Sequence, residues 1–305
     1  MSIQLSTATT TNATKFDRAE SNPCVHGRLR LRFEVRGNRN QTILTESEQQ
    51  LPLRVVRGFQ LEDRGSLVHL HNMSGGVLGG DQLDLIVEVG PRAVAQITST
   101  GATRIYRSRN NAVPALQKSK ISVEDDGLAE YLPDELIPFA GSRYRQETQI
   151  KLGANAGLFW WETVAPGRQA HNEMFAYDLL QLKTGISALG QPIASEHMRI
   201  EPARRPVFSL ARLGAYGYLS TFYICRVGVE TSRWLELETL LGELAVQASR
   251  PSLTVWGVSR LRAHGIVVRA LSVSGREIAT FLPEFWRVAK LFLYDRETVR
   301  PRKIY

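Results

Sequence analysis

Apolar and polar residues alternate along most of the first two thirds of the chain. The clearest case is the stretch Arg28–Arg36, in which apolar and charged residues alternate without exception. Since strand residues point to opposite faces in turn, Leu29, Leu31 and Phe33 are predicted to face a core, and the arginines to face water. Gly37-Asn38 then predicts a turn.

Seven further short strands are predicted downstream, separated by turns rich in Gly, Pro, Asp or Asn. They are Ser66–Asn72, Leu83–Val89, Val94–Thr100, Ile121–Val123, Ala129–Leu132, Glu147–Leu152 and Gly157–Thr163. This pattern is typical of an all-β sandwich, a barrel or an irregular solenoid. A regular solenoid is not supported, because no repeat of fixed length recurs.

The last third of the chain has a different pattern. Strands are predicted at Tyr216–Val227, Leu253–Val258 and Gly265–Leu271, and an amphipathic helix at Trp234–Ala248. A second helix is predicted at Pro283–Tyr294, with the proline near its first turn. It is apolar nearly all round, so we expect it to pack on two sides, the second being either the same core or a partner.

The expected organisation is a disordered tail at residues 1–26 and a single domain at 27–305. Within that domain, residues 27–215 form a β-rich core and residues 216–305 a smaller α/β portion. The 305 residues carry a formal net charge of +8 from dispersed basic residues. That surplus is compatible with an acidic partner, with nucleic acid or with solubility alone.

The cysteines and the apolar segments indicate a cytoplasmic protein. Cys24 and Cys225 are the two cysteines, far apart and outside any C-x-x-C pair, which fits a reducing compartment. No window approaches the ~20 apolar residues that span a bilayer, and no secretory signal is recognised. We therefore expect no membrane association.

The most distinctive segment is Met73–Asp81, which places four glycines around two apolar residues and ends in a carboxylate. It lacks the lysine of a phosphate-binding P-loop and does not fit G-x-G-x-x-G. Two interpretations remain, a glycine-rich strand connection and a purpose-built polar site.

Two other patterns could carry chemistry. His69 and His71 would lie on one face of a strand as half of a metal site, but no further ligands are visible nearby, so surface histidines are the alternative. Trp160 and Trp161 must point to opposite faces, which predicts that both faces are covered. Glu162 beside them would either pair with an arginine such as Arg168 or line an internal polar passage.

Five segments in order resemble the UreD (UreH) family of urease accessory proteins. They are Ser74–Asp81, Gly101–Ser108, Glu130–Ser142, Trp160-Trp161-Glu162 and Ala165–Arg168. The resemblance runs from Gly27 to the C-terminal residues and is far more specific than any one segment.

The resemblance implies a mainly β fold, a sandwich or helix-like arrangement of many short strands with two α-helices in the C-terminal third. It implies a non-enzymatic scaffold that binds UreF and, in a heteromeric complex with UreG and apo-urease, helps deliver nickel to the urease active site. No cofactor would be tightly bound; nickel would be in transit through an internal polar tunnel.

The same resemblance nominates transient nickel contacts along that tunnel. They are Asp81, Thr103, Glu162, Glu173 and Glu196. Two depart from the family pattern in their neighbours, since Asn172 replaces a glycine before Glu173 and His197 replaces an arginine after Glu196. Scattered oxygen donors suit transfer, because they attract Ni²⁺ without enclosing it.

Two alternative functions stay open at this point. One is a β-rich carbohydrate-active enzyme, which requires two of Asp81, Glu130, Asp134 and Glu162 in one open cleft. The other is a basic nucleic-acid-binding module, whose affinity would fall steeply with salt.

Overall fold

The computed structural model of the chain describes residues 24–38, 40–107, 113–209 and 211–301. Residues 1–23 of the expected tail, Ser108 of the second glycine segment and the basic end at 302–305 lie outside these ranges. The first described strand starts at His26, one residue before the predicted start of the domain.

Strands dominate the described chain. In chain order they are β1 (His26–Arg36), β2 (Gln41–Gln50), β3 (Leu53–Arg54), β4 (Phe59–Gln60), β5 (Ser66–Asn72), β6 (Gln82–Val89), β7 (Val94–Ser99), β8 (Thr103–Ile105), β9 (Ala115–Val123), β10 (Leu128–Tyr131), β11 (Leu136–Pro138), β12 (Arg143–Leu152), β13 (Gly157–Val164), β14 (Leu179–Ala188), β15 (Gln191–Ile200), β16 (Tyr218–Arg226), β17 (Thr254–Arg260) and β18 (Gly265–Ser272). The helices are α1 (Thr231–Ala248) and α2 (Gly275–Tyr294), with a short 3-10 helix at Gln169–His171. The predicted mainly β fold with two C-terminal helices is confirmed.

The strands form two sheets. The first sheet has the order β15-β14-β12-β9-β6-β1-β2, and the second has the order β17-β18-β16-β13-β10-β7-β5-β3, with β4, β8 and β11 attached beside it. From β5 to β14 the main strands alternate between the sheets, so neighbours within each sheet are parallel. The chain therefore winds as a flattened, irregular solenoid, closed at its C-terminal side by antiparallel hairpins.

The main apolar core lies between the two sheets. Leu29, Leu31 and Phe33 of β1 are at most 1% exposed, as their alternation predicts. They belong to one cluster with Ile97 of the second sheet and Ile121 of the first. Each such side chain, when fully buried, contributes roughly 1.5–3 kcal/mol to stability.

A second core lies between the outer face of the second sheet and the two helices. Trp161 packs on this outer side, whereas Trp160 points into the core between the sheets. The prediction that the two rings lie on opposite, covered faces is confirmed. Helix α1 begins three residues before its predicted start and buries Trp234, Leu237 and Leu241 against the sheet.

Helix α2 begins earlier than its sequence predicts. It starts at Gly275, where the Ser274 hydroxyl accepts a hydrogen bond from the Arg276 N–H at 3.2 Å, so Pro283 lies inside it. An interior proline removes one helical hydrogen bond. Burial of Ile278 and Leu282 on the preceding turns keeps the helix continuous.

Three of the longer strands, β2, β14 and β15, were not predicted, nor were the short strands β3, β4, β8 and β11. β2 and β15 are edge strands, each with a single buried residue, and β14 begins with four buried residues in succession. Neither pattern shows clean alternation.

Cys24 and Cys225 are both free thiols, and burial raises the pKa of Cys225 to about 12. Among the described residues, no helix is long and apolar enough to cross a membrane.

Candidate functional site

A row of buried polar side chains crosses the first sheet. Ser119 on β9 is paired with Thr148 on β12, and Thr148 with Thr184 on β14. The three residues are 5%, 3% and 7% exposed. The pairing continues from Thr184 to Glu196 on the edge strand β15. Because neighbouring strands lie about 4.8 Å apart, the row forms a nearly continuous line of oxygen atoms from the core to the sheet edge.

The local sequence explains why the row is confined to one level of the sandwich. The inward positions of β12 are Tyr144, Gln146, Thr148, Ile150 and Leu152. Tyr144 belongs to one apolar cluster, and Ile150 and Leu152 belong to another. Gln146 and Thr148 lie between the two clusters. The interior is therefore divided by a polar layer. We call its line of residues on the first sheet, Ser119, Thr148, Thr184 and Glu196, the polar row.

Glu162 faces the polar row from the opposite sheet. It lies two residues after Trp160 on β13, so both side chains point inward. Its partner in register is Thr221 on β16, whose own partner on β18 is Arg269. One level of the second sheet thus carries a carboxylate, a hydroxyl and a guanidinium.

Two small cavities, each of about 40 Å³, lie between the sheets at this level. The inner cavity is lined by Thr103, Gln117, Ser119, Ile121, Tyr131, Pro133, Asp134, Leu136, Tyr144, Gln146, Thr148, Trp160, Glu162 and Thr163. The outer cavity is lined by Trp160, Glu162, Leu182, Thr184, Glu196, Met198, Leu219 and Thr221. Trp160 and Glu162 form the wall that the two cavities share, and each cavity is large enough for a water molecule.

The carboxyl group of Glu162 is held at this wall by Gln146, whose side-chain amide donates a hydrogen bond to it. Burial raises the pKa of Glu162 to about 7; the Gln146 hydrogen bond opposes this and the negative charge of Glu196 adds to it. Both protonation states are therefore populated near neutral pH. The alternative pairing with Arg168 is wrong, because that guanidinium binds Glu173.

Glu196 lies at the outer end of the polar row. Its carboxylate accepts a hydrogen bond from the Tyr223 hydroxyl and lies 3.3 Å from the Arg269 guanidinium. Its side chain is one third exposed. His197, the next residue, contacts the Gln181 amide through its Nε2 at 3.0 Å.

Thr103, Glu162 and Glu196 thus lie along the two cavities, whereas Asp81 lies elsewhere. Its carboxylate is 3% exposed and accepts a hydrogen bond from the Leu78 N–H at 2.8 Å, closing the glycine-rich turn. Gly80 in that turn has a φ of +91°, which favours glycine. Asp81 lines neither cavity, and its proposed role in metal transfer stays a prediction.

Glu173 lies outside both cavities as well. It accepts hydrogen bonds from the Arg168 guanidinium and from the Ala140 N–H, and the Arg168 bond lowers its pKa. Asn172 has a φ of +57°, so it takes the left-handed conformation that a glycine adopts readily and asparagine tolerates. The backbone therefore accommodates asparagine at this position.

The two histidines share one face of β5, as predicted. His69 and His71 both line a separate groove, and burial lowers the pKa of His71. Within the described ranges, no group of three or more His, Cys, Asp or Glu side chains could hold a metal ion. The histidine pair is therefore not completed into a closed metal site by described residues.

The carboxylates named for a carbohydrate-active enzyme do not share an open cleft. Asp134 and Glu162 line the same cavity, but about 40 Å³ is far below the ~300 Å³ of small-molecule sites. Glu130 is fully buried and lies 3.1 Å from the Lys290 ammonium. Glycoside hydrolysis therefore has no geometric support here.

Sequence reasoning missed the hydroxyl and amide groups that complete the cavities. They are Ser119, Gln146, Thr148, Thr184 and Thr221. The signal was available on β12, where polar residues occupy the middle of a buried alternation. Recognising it as a row required the register between strands, which a single sequence does not provide.

Comparison with known proteins shows the family of this chain. A model of the UreD urease accessory protein family matches residues 25–304. A "Urease accessory protein UreD" from Herpetosiphon aurantiacus is 45% identical over 92% of this chain and 97% of its own length. The protein of that name from Pseudomonas aeruginosa is 31% identical over 92% of this chain and 95% of its own. The one from Cenarchaeum symbiosum is 34% identical over 64% and 69%. The chain therefore belongs to the UreD family of urease accessory proteins and has a role in urease maturation.

Proposed function

We propose that this chain is a non-enzymatic scaffold that carries nickel towards the urease active site along the polar row. The single observation that supports this most is the pair of cavities sharing Glu162 in an otherwise apolar sandwich. A buried carboxylate is costly unless it is hydrogen-bonded, hydrated or used. Here it is hydrogen-bonded by one amide and flanked by hydroxyl groups, with room for water.

The donor set suits an ion in transit. Carboxylate, hydroxyl and amide oxygens along the row are weak, separated ligands for Ni²⁺, so no position holds the ion in a closed cage. Movement through such a path requires binding that is favourable enough for entry and weak enough for release. Along the two cavities beside the row, Thr103 would mark the inner end, Glu162 the shared wall and Glu196 the outer end.

The raised pKa of Glu162 adds a means of release. Near neutral pH a proton competes with the metal ion for this carboxylate. An arriving ion would displace the proton, and reprotonation would favour departure. The Arg269 guanidinium beside Glu196 must move aside when an ion reaches the outer end.

Within the family, the expected partners are UreF, UreG and apo-urease, which would form one complex with this chain in the cytoplasm. In that complex the chain would hold the ion-conducting path and the partners would supply and receive nickel. This assignment rests on the family relationship and on the polar row together.

The first test is maturation of urease co-expressed with UreF, UreG and either this chain, no chain, or Glu162→Gln. Urease nickel content and activity are measured, together with co-purification of the complex. We expect Glu162→Gln to lower nickel content towards the level without the chain while the complex still assembles, because the amide keeps the hydrogen-bonding shape but carries no charge.

Glu147→Gln is the matched control. This glutamate lies on β12 one residue after Gln146 and is exposed to solvent. It should load nickel as the unaltered chain does. Full urease activation without the chain would overturn the delivery role, and normal loading with Glu162→Gln would overturn the passage.

A further inference from the structure

A concave, arginine-rich surface lies beside the outer cavity, and we call it the arginine basin. It has a volume of about 560 Å³, within the range of sites that bind side chains or small ligands. It is lined by Met198, Arg199, Ile200, Glu201, Arg204, Arg205, Val207, Arg212, Leu213 and Leu219. Most of these residues belong to the irregular connection at 201–217 between β15 and β16. Connections of this length are more often functional than incidental.

The charge of the basin is strongly unbalanced. Among the described lining residues Glu201 is the one carboxylate, and it is already paired with Arg199, at 2.7 Å, and with Arg204, at 3.4 Å. Arg212 donates to the Pro206 carbonyl at 3.2 Å, and Arg205 is exposed. In the described part of the chain, neither Arg205 nor Arg212 has an ion pair with a carboxylate. Two guanidinium groups are therefore available for an anionic ligand.

The floor of the basin is apolar. Val207 is 7% exposed and belongs to an apolar cluster that also holds Leu213, Met198 and Leu219 against its edge. Phe208, next to the floor, is half exposed and lies edge-on to Phe175 with ring centroids 5.1 Å apart. An occupant therefore meets guanidinium groups around an apolar centre.

We propose that the arginine basin binds an acidic segment of a partner protein, with one apolar side chain of that segment on the floor. Arginine forks recognise carboxylates in a planar, two-point geometry, and a central apolar anchor with a charged surround is the usual arrangement of a protein interface. A nucleic acid fits less well, because its phosphates need a groove that follows the backbone over several nucleotides, whereas the basin is one concave site.

The arginine basin lies next to the outer cavity, which connects binding in the basin to urease maturation. Met198 and Leu219 line both the basin and the outer cavity that contains Glu196. A segment seated in the basin therefore lies directly against the outer end of the polar row. Binding of an acidic segment in the arginine basin does not require nickel transfer along the polar row, so the two are tested separately.

The test measures binding to the purified full-length chain by fluorescence anisotropy. The probe is a labelled synthetic peptide with one leucine flanked on each side by three acidic residues. Two comparison peptides replace the acids by their amides or the leucine by serine, and a 12-nucleotide single-stranded DNA supplies the nucleic-acid arm. Binding is measured over a salt series.

The informative variant is Arg205→Glu/Arg212→Glu, and the matched control is Arg145→Glu/Arg262→Glu, which makes the same charge change at exposed sites outside the basin. We expect the basin variant to weaken peptide binding about tenfold or more, and the control variant to weaken it far less. Both comparison peptides should bind more weakly than the probe. Arg205→Gln/Arg212→Gln, which avoids charge reversal, serves if the first variant does not fold.

Four results would overturn the proposal. They are no saturable peptide binding, equal weakening by the basin and control variants, equal affinity for the leucine and serine peptides, and tighter binding of the DNA than of the peptide. None of these depends on nickel. Conversely, normal nickel loading by Glu162→Gln would leave the basin proposal intact.

Discussion

At the residue scale, the position of Glu162 joins stability to function. The ordinary pKa of 4.5 for this side chain rises to about 7 in the folded chain, chiefly through burial. The folded chain therefore binds more protons than the unfolded chain between these two values. It follows that the free energy of unfolding decreases as pH rises through this window, by up to about 3 kcal/mol and less where the cavity holds water.

This gives a pH-dependent prediction for Glu162→Gln. At pH 8 the neutral amide should make the chain more stable than the unaltered protein, by about 1–3 kcal/mol. The advantage should shrink towards zero near pH 5, where the unaltered carboxyl is protonated. Urea unfolding at both pH values measures the difference. Glu147→Gln is the control at an exposed site of the same strand β12. An advantage for Glu162→Gln that is the same at both pH values would contradict the raised pKa.

The glycine run offers a second prediction at this scale. A Cβ atom added at Gly76 would lie 2.6 Å from the Arg104 carbonyl oxygen and against the Tyr106 ring. Gly76→Ala should therefore lower the free energy of unfolding by about 1–3 kcal/mol. At Gly101 the added atom meets nothing within 4 Å. Gly101→Ala should be nearly neutral, and equal effects of the two changes would mean that close packing is not why the run needs glycine.

At the element scale, helix α2 is fixed to the second sheet by a buried charge cluster. Lys290 is fully buried, with its ammonium 3.0 Å from Asp63 and 3.1 Å from Glu130. The Trp286 N–H donates to Glu130 at 3.0 Å. Burial raises the pKa of Glu130, and the lysine opposes that rise. Because two carboxylates face one ammonium, removing the lysine would leave both carboxylates without a cation.

Lys290→Met is therefore expected to destabilise the chain strongly, by about 3–5 kcal/mol, since it leaves buried carboxylates without a cation. Glu130→Gln should have a smaller effect, because the ammonium keeps Asp63. Thermal or urea unfolding of each variant measures the order. Arg287→Met, on the same helix, removes a partly exposed pair with Glu284 and should cost less than about 1 kcal/mol. If Lys290→Met were as mild as this control, the cluster would not anchor the helix.

The same elements show how far the sequence alone can be trusted. Regular alternation located β1, and the paired tryptophans identified a strand covered on both faces. Pro283 misplaced the start of α2, because local propensity was outweighed by burial of Ile278 and Leu282. β2 and β15 escaped notice because edge strands tolerate polar residues on both faces. For the site, the family resemblance nominated Thr103, Glu162 and Glu196, but only the packing of the two sheets shows that these three residues line two adjoining cavities.

At the scale of the whole molecule, the polar row lies between two apolar clusters of the sandwich. If that row conducts an ion, blocking it should abolish delivery without changing any charge. Thr184, 7% exposed, lines the outer cavity between Glu162 and Glu196. The volume there is small enough that one larger aliphatic side chain would fill it.

We therefore expect Thr184→Leu to reduce urease nickel content in the co-expression assay while complex formation persists. Some loss of stability, about 1–3 kcal/mol, is expected from overpacking and is checked by thermal unfolding. Thr184→Val, which removes the hydroxyl at nearly constant volume, separates obstruction from loss of an oxygen ligand. Normal nickel content in both variants would argue against conduction through the outer cavity.

The alternation of strands between the two sheets also governs how the chain folds during synthesis. β1 pairs with β6, which lies about fifty residues further along, and each parallel neighbour requires an intervening strand in the other sheet. The walls around Glu162 are complete only when β16 has joined β13. Such non-local pairing is slow, and a growing chain exposes unpaired parallel edges that invite aggregation. A chain that ends before residue 218 should therefore be poorly soluble. The yield of soluble, folded protein would then depend on the strands and helices of the last third.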